Sequence, residues 1–526
     1  MKIFENKRNI FILCLLLFLL ILPRIAVYFI FGNGLIGTDA QGRYFPQVEK
    51  LSESLSNFFN QIGPLYSLFL LFFDKINNDM VTGPVLIQHI IGVITGVLVF
   101  YYFKRVNLFL AAFVTVFVYS GWLALWVEHT ILRESLAAFF FVLLVLIFSL
   151  ATRALVKGEE EATASSTIRE EKYFKLPYAF LAGFTGLTLV FFRIEFLFLV
   201  IFFPLVLFFA KKEKPLNFKF WDKRFLKWSL GYFLPLFVVF LISGAIILKN
   251  QKGEESRLSS SPVADAREQN EFQYGSLFGV SYYTLAYHNF LPRIFYYENS
   301  RYPGLLEKYQ SALEVHKKEL NNLTPADRRE KIGGALNIVY KSTEDYLSEH
   351  PEINLSANQL MDRVYLEIIK KNTLIYLQGV AVNFKSHLVG MSELYTVSAK
   401  SSQLALLKIH LSGQDPLDVK DLKQVSIFDK ALRVYIAGMI IFSKILFWLF
   451  LISLPVLFFK WKIMPPEIII SLFVVFLHLS VLAIFADPSQ RFRYPIDPFL
   501  YFLEFYLIWY FLKIVFSKTT RFFTRK

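Results

Sequence analysis

The chain has 526 residues, 55% of them hydrophobic and 18% aromatic, with a formal net charge of +14 and a mean hydropathy of +0.45. That composition excludes an ordinary soluble protein, and 59 phenylalanines gathered mostly in long apolar runs point to an all-α polytopic membrane protein. A single cysteine, Cys14, excludes intrachain disulfides, and the positive charge reads as lysine and arginine facing anionic lipid, with no nucleic-acid partner.

A spanning helix needs roughly 20 apolar residues. The first run, 9–31, has a basic start and no small-residue cleavage site after it, so it reads as an anchor and not a signal peptide. Arg24, one residue past Pro23 in this run, belongs to the helix bundle or reaches the interface. Next comes Gly37-Thr38-Asp39-Ala40-Gln41-Gly42-Arg43-Tyr44, which sets a carboxylate beside a hydroxyl, a cation and an aromatic where a membrane helix ends. Charge there is costly unless it is used or solvated. Residues 63–76 number 14; at ~21 Å of helix they fall short of a ~30 Å core and are expected to lie along the membrane surface or re-enter it.

Spans at 83–103, 106–125 and 131–151 follow. His89, in the first of these, reads as a buried, hydrogen-bonded structural histidine. Glu128 and Glu134 belong to the polar stretch 126–134, where His129 is a candidate metal ligand. The charged stretch 157–172 reads as a linker. Residues 176–210 form one steep helix or two short ones, with Arg193 and Glu195 in the middle. A span at 228–248 leads to a hydrophilic insertion, 249–427, which opens on a polar, mobile stretch, 250–271. Within it, 355–371 has helical periodicity through Leu360, Val364, Ile368 and Ile369, and Ser356 is placed to cap it. Spans at 430–459, 467–485 and 498–516 close the chain, and Arg491 and Arg493 lie in the polar loop 486–497.

Charge asymmetry arbitrates the topology. Seven cations within 211–227 place that loop in the cytoplasm. Lys104, Arg105, Lys460, Lys462 and both termini agree if 63–76 does not cross and 176–210 is a hairpin with Arg193 at its tip. About ten spans result. The opposite choice at both places also closes, but it exposes Lys104 and Arg105 outside and ranks second. In the first topology the segments holding Asp39, Glu128–Glu134, Arg193–Glu195 and Arg491–Arg493 share the outer face. The expected organisation is a transmembrane module, 1–248, with a first-loop catalytic region, 32–82. A mainly helical extracytoplasmic domain, 249–427, and a second transmembrane module, 428–526, complete it. Walker, dinucleotide, CxxC and HExxH patterns are absent, which weighs against ATP-driven and classical soluble enzymes.

Gly37-Thr38-Asp39-Ala40, Gly63-Pro64-Leu65-Tyr66-Ser67-Leu68, Leu132-Arg133-Glu134-Ser135-Leu136, Phe192-Arg193-Ile194-Glu195 and Arg491-Phe492-Arg493-Tyr494-Pro495-Ile496 occur in an order that resembles the GT-C fold glycosyltransferases. That group includes the protein O-mannosyltransferases and the lipid A aminoarabinose transferases. The chain departs from many relatives in having glutamate in the second loop and in placing its insertion before the last three spans. The resemblance implies a GT-C-like bundle in the bacterial inner (plasma) membrane. It also implies an inverting glycosyltransferase that takes its sugar from a polyprenyl-phosphate donor outside the cytoplasm.

Such chemistry displaces a phosphate at an anomeric carbon, so it needs a carboxylate to accept the acceptor's proton and cations to hold the leaving phosphate. Asp39 is the candidate base. Glu134, or Glu128 as its rival, orients the acceptor or shares a divalent cation with Asp39. Arg491 and Arg493, two apart in a Pro-bounded loop, are candidate phosphate ligands together with Arg193 and, more weakly, Arg43. Tyr44 and Tyr66 are candidates to line the sugar pocket. The acceptor is a lipid, a glycan or a protein. A lipid or polysaccharide transporter, or an inactive scaffold of the same fold, are the competing readings.

Overall fold

The computed structural model describes residues 2–32, 34–36, 40–54, 58, 63–160, 176–205, 223–254, 301–302, 304–309, 339–389, 441–442, 444–455, 460, 464–485 and 493–523. Among these the chain is helical, and its one extended pairing is an isolated parallel bridge between Leu35 and Thr130. Asp39, Arg491, the linker residues 161–172, the polar stretch 255–271, most of the basic loop 211–227 and residues 430–440 lie outside the described residues.

The chain divides into two compact units, one comprising Met1–Ser259, Trp448–His478 and Arg493–Lys526, the other Ser260–Phe447 and Leu479–Phe492. In order, the helices are α1 (Lys2–Phe31), α2 (Phe45–Glu53), α3 (Pro64–Asn77), α4 (Thr82–Phe103), α5 (Leu108–Tyr119), α6 (Trp122–His129) and α7 (Glu134–Glu160). They continue with α8 (Leu176–Phe192), α9 (Leu197–Phe202), α10 (Lys223–Glu254), α11 (Ala357–Lys371), α12 (Thr373–Val389), α13 (Pro466–Phe485) and α14 (Asp497–Phe523).

Four stretches are long and apolar enough to cross a membrane: Ile10–Phe29, Thr82–Phe103, Glu134–Thr152 and Pro466–Ile484. A fifth results if Leu108–Tyr119 and Leu123–His129 are taken as one span bent by 49°. Shorter apolar helices occur at Leu176–Phe192, Ile194–Leu205, Leu226–Ile242 and Lys444–Pro455.

Several sequence boundaries move. The run 106–125, read as one straight span, breaks where Ser120 ends α5 and Gly121 adopts an extended conformation before α6. A neighbouring helix accounts for the break. Pro23, inside α1, has no N–H to give to the carbonyl of Leu19 four residues earlier. The Ser120 hydroxyl donates to that carbonyl at 2.8 Å. The polar residue that ends α5 thus repairs α1. The helix α7 runs on to Glu160, into the start of the charged stretch read as a linker, and α10 and α14 extend past their expected ends.

The stretch 63–76 forms one short helix of 14 residues, α3. Gly63, at φ 70°, turns the chain into it in the left-handed region that favours glycine, and Pro64 occupies the first turn, where its missing N–H costs nothing. Asn78, also left-handed, closes it. Asp79 then accepts from the backbone N–H groups of Val81 and Thr82 at 2.8 and 3.0 Å as α4 begins. The Thr82 side chain, with these two amides, holds the Asp79 carboxyl below its ordinary value against the opposing effect of burial.

Between α8 and α9 the chain reverses at Arg193, whose backbone is extended. Gly186 and Val200, about equally far from it on either side, meet, and Tyr232 of α10 donates to the Val200 carbonyl at 2.7 Å. Of the two readings of 176–210, the structure takes the hairpin.

In the second unit, Leu305, Leu306, Tyr309, Val339 and Tyr346 pack on Leu360, Met361, Val364, Tyr365 and Ile368 of α11. Ser356 caps α11 in a reciprocal capping box with Gln359. The expected apolar face of 355–371 is the buried one.

The Pro23–Ser120 repair is testable. Ser120→Ala leaves the Leu19 carbonyl without its donor in apolar surroundings and is expected to destabilise the protein in detergent by about 1–3 kcal/mol. Pro23→Ala restores the helical N–H and should recover most of that loss in the double variant. Thermal unfolding of the four-member cycle reads the coupling, and additive effects would contradict the repair.

Candidate active site

The polar segments described in the first unit meet at one end of its helices, and each reaches that end for a local reason. Beyond α1, Leu35 receives and returns backbone hydrogen bonds with the 126–134 segment: its N–H donates to His129 O at 2.8 Å, and Ile131 N–H donates to Leu35 O at 3.0 Å. The first loop is thereby stitched to the second.

Beneath this seam lies a buried charge. Glu128, at the end of α6, accepts from Arg24 of α1 at 2.6 Å and lies 3.1 Å from His89 Nδ1 of α4. Tyr494 donates to the same carboxylate at 3.4 Å. Arg24 also donates to its own helix at Leu20 O. The other ring nitrogen of His89, Nε2, lies 3.1 Å from His129 Nδ1. Room for the carboxylate exists because position 92 is glycine: a Cβ there would stand 2.0 Å from Glu128 Oε1.

Gln88, one residue before His89, ties three elements. Its amide nitrogen donates to Glu128 O and Thr130 O at 2.8 and 2.9 Å, and its oxygen accepts from Tyr66 of α3 at 2.8 Å. Tyr66 meets Tyr44 edge-on with ring centres 4.8 Å apart. Burial raises the Tyr66 phenol well above its usual value, and the proximity of Tyr44 and Glu134 adds to this, so Tyr66 is a neutral donor. Arg43 lies 5.9 Å from the Tyr44 ring centre and is partly exposed.

A second group of charges surrounds the hairpin tip. Arg193 lies 3.3 Å from Glu195 and 3.8 Å from Glu134, and Arg133 lies 3.7 Å from Glu195. Two guanidinium groups from different loops therefore converge on one carboxylate oxygen, Glu195 Oε1. The second oxygens, Glu134 Oε2 and Glu195 Oε2, are buried and accept no hydrogen bond among the described residues. Arg133 lies directly over Gly63, where a Cβ would stand 2.5 Å from its Nη1. The side chain of Glu195 is 16% exposed against 1% for Arg193, which makes it the more open member of the group.

Of the residues singled out in the sequence, Glu128, Glu134, Arg193, Arg43, Tyr44 and Tyr66 are at this end. The two rival glutamates differ. Both oxygens of Glu128 are engaged by α1, α4 and Tyr494, whereas Glu134 keeps one oxygen unengaged. Arg493 is buried and forms an ion pair with Asp497 one turn later at 2.5 Å, and it donates to Tyr501 at 3.2 Å. Asp39 and Arg491 fall outside the described residues. His89 is the buried, hydrogen-bonded histidine expected. Among the described residues no group of three His, Cys, Asp or Glu is arranged to hold a metal ion, and the Glu134 carboxylate faces Arg193.

Arg133, Gln88 and Asp497 were not among the sequence candidates. Arg133 had a signal, a cation directly before the second-loop acid. Asp497 stands four residues after Arg493, the spacing of a helical ion pair. Gln88 had none, because an uncharged amide in an apolar helix looks like any other polar interruption.

No protein family, characterised protein or solved structure matches the chain.

Removing one partner of a buried ion pair strands the other, at a cost of about 3–5 kcal/mol. Arg24→Ala is expected to lower stability by that order. Arg24→Met with Glu128→Gln removes both charges and should return most of it, as read by thermal unfolding in detergent. A double variant no more stable than Arg24→Ala would show that Glu128 is not the group Arg24 neutralises.

Proposed function

We propose that this chain is an integral-membrane glycosyltransferase that moves a sugar from a polyprenyl-phosphate donor to a lipid, glycan or protein acceptor. The observation that carries the reading is the convergence of Arg133 and Arg193 on a single carboxylate oxygen of Glu195. Two guanidinium groups that share one oxyanion form the donor set that a phosphate ester requires. The most open of the four side chains is the carboxylate the phosphate would displace.

In this reading the acceptor hydroxyl attacks the anomeric carbon from the face opposite the lipid phosphate. The new C–O bond forms as the bond to phosphate breaks, and configuration inverts. Asp39, joined to the buried Ala40, accepts the hydroxyl proton. The lipid phosphate leaves with both bonding electrons, held by arginine. Glu134 orients the acceptor through its unengaged oxygen, and Tyr44 and Tyr66 supply an aromatic wall. No step is routed through a metal. Glu128 acts as the buried counter-charge of Arg24 and takes no part in transfer.

The proposed setting is a multi-pass protein of about ten spans in the bacterial inner membrane, with this end of the helices outside the cytoplasm. The cations of Lys104 and Arg105, at the far end of α4, support that orientation. The scaffold reading has one observation in its favour: Arg24, Arg133, Arg193 and Arg493 are each already opposite a carboxylate.

Transfer of radiolabelled sugar from a defined polyprenyl-phosphate donor separates these readings. Asp39→Ala and Arg491→Ala are each expected to reduce transfer at least about 100-fold, a typical contribution of one acid–base or oxyanion-stabilising group. Glu128→Gln paired with Arg24→Met is expected to retain activity. Full transfer in both Asp39→Ala and Arg491→Ala would refute the assigned site. For the orientation, Lys104→Cys in a Cys14→Ser background should resist a membrane-impermeant maleimide in intact cells and react after permeabilisation.

A further inference from the structure

The helix α12 presents two opposed faces. Leu374, Leu377, Gln378, Ala381, Val382 and Lys385 recur at helical spacing and are exposed, Leu374 by 70% and Leu377 by 54%. On the other side, Gly379, Asn383 and His387 are buried. Four apolar side chains thus form a continuous uncovered stripe, which ends at Lys385 and begins just beyond the exposed Lys370 of α11.

The buried face says what covers that stripe. Asn383 donates its amide to Ala483 O at 3.0 Å, in the last turns of α13. Pro466–Ile484 of α13 is long and apolar enough to cross a membrane. A helix fastened to the end of such a span stands at the depth where hydrocarbon gives way to headgroups. With 17 residues, α12 is ~26 Å long and too short to cross a ~30 Å core itself.

We propose that α12 is an interfacial helix whose occupant is the lipid bilayer. Leu374, Leu377, Ala381 and Val382 enter the acyl region, and Lys370 and Lys385 extend to lipid phosphates at either end. An apolar stripe bracketed by long cationic side chains is the pattern of a helix lying in the membrane plane. The lipid surface thereby fixes part of the second unit directly. This inference rests on the chain being a membrane protein and not on glycosyl transfer, so it stands or falls separately from the proposed activity.

The single native cysteine makes the test clean. In a Cys14→Ser background, nitroxide labels at Leu374→Cys, Leu377→Cys and Val382→Cys are compared with one at the exposed Glu352→Cys. The full chain is reconstituted in phosphatidylethanolamine–phosphatidylglycerol vesicles. Collision with oxygen, which concentrates in lipid, is expected to exceed collision with a water-soluble nickel chelate several-fold at the three stripe positions, at similar shallow depth. The order should reverse at Glu352→Cys. Nickel-dominated collisions at all three would overturn the proposal, and so would protection from both reagents, which would mean that protein covers the stripe. A depth rising steadily from Leu374 to Val382 would mean a crossing helix and would also overturn it. Size-exclusion profiles confirm that each labelled chain is folded.

Discussion

A carboxylate in apolar surroundings cannot stay charged without a cation beside it, and Glu128 is where this chain meets that constraint. Its cation comes from α1, its second hydrogen bond from α4, and a third from Tyr494 just before α14. Each partner fixes a distance between helices. Arg24 draws α1 to the end of α6, and Gly92 lets α4 approach until no side chain intervenes. Even the kink-prone Pro23, one residue before Arg24, is answered from the same neighbourhood by Ser120. One ionic group thus sets the register of four helices, and the loops above them inherit it.

The second group of charges has a different character. Arg24 and Glu128 meet at 2.6 Å, whereas separations around Arg193 run from 3.3 to 3.8 Å. Charges ~4 Å apart attract by about 4 kcal/mol at an effective dielectric of 20. A phosphodiester carries the same single charge as a carboxylate and has further oxygens to offer two guanidinium forks. Glu195 is thus held less closely by its two arginines than Glu128 is by Arg24. The closely held pair ties α1 to α6, and the loosely held group is the one to which the proposed phosphate binding is assigned.

Legibility in the sequence follows the same division. Ionisable residues next to apolar runs are rare enough to be conspicuous, so Glu128, Glu134, Arg193 and Arg493 could be named without knowing what they touch. Their partners could not, because Arg24 and Glu128 are 104 residues apart and only packing joins them. The break at Ser120–Gly121 was hidden for a related reason. Within an apolar run those two residues are mild interruptions, and the demand they answer arises at Leu19. The capping box of α11 was legible because both of its members lie within four residues. The stripe of α12 was not, since a face exposed to lipid and a face packed on protein have the same composition.

The buried contacts also constrain how the chain threads. Arg24 and Leu35, toward and beyond the end of α1, meet the same groups as Gln88 and His89 near the start of α4. The chain between them must therefore return to the end from which it left, and α3, with 14 residues, makes no net advance along the bundle. From the far end of α4, α5 and α6 together come back to Glu128, so the bent pair advances the chain once and not twice. The next helix, α7, leaves from Glu134, α8 returns to Arg193, and α14 departs from Asp497. Each direction is dictated by which terminus carries the charge, and Lys104 and Arg105, following Phe103, fall at the opposite end from every one of them. The alternative threading, in which α3 crosses, would carry the loop after α6 a full helix length away from Arg24 and Leu35, which it meets at 2.6 Å through Glu128 and at 2.8 and 3.0 Å through His129 and Ile131.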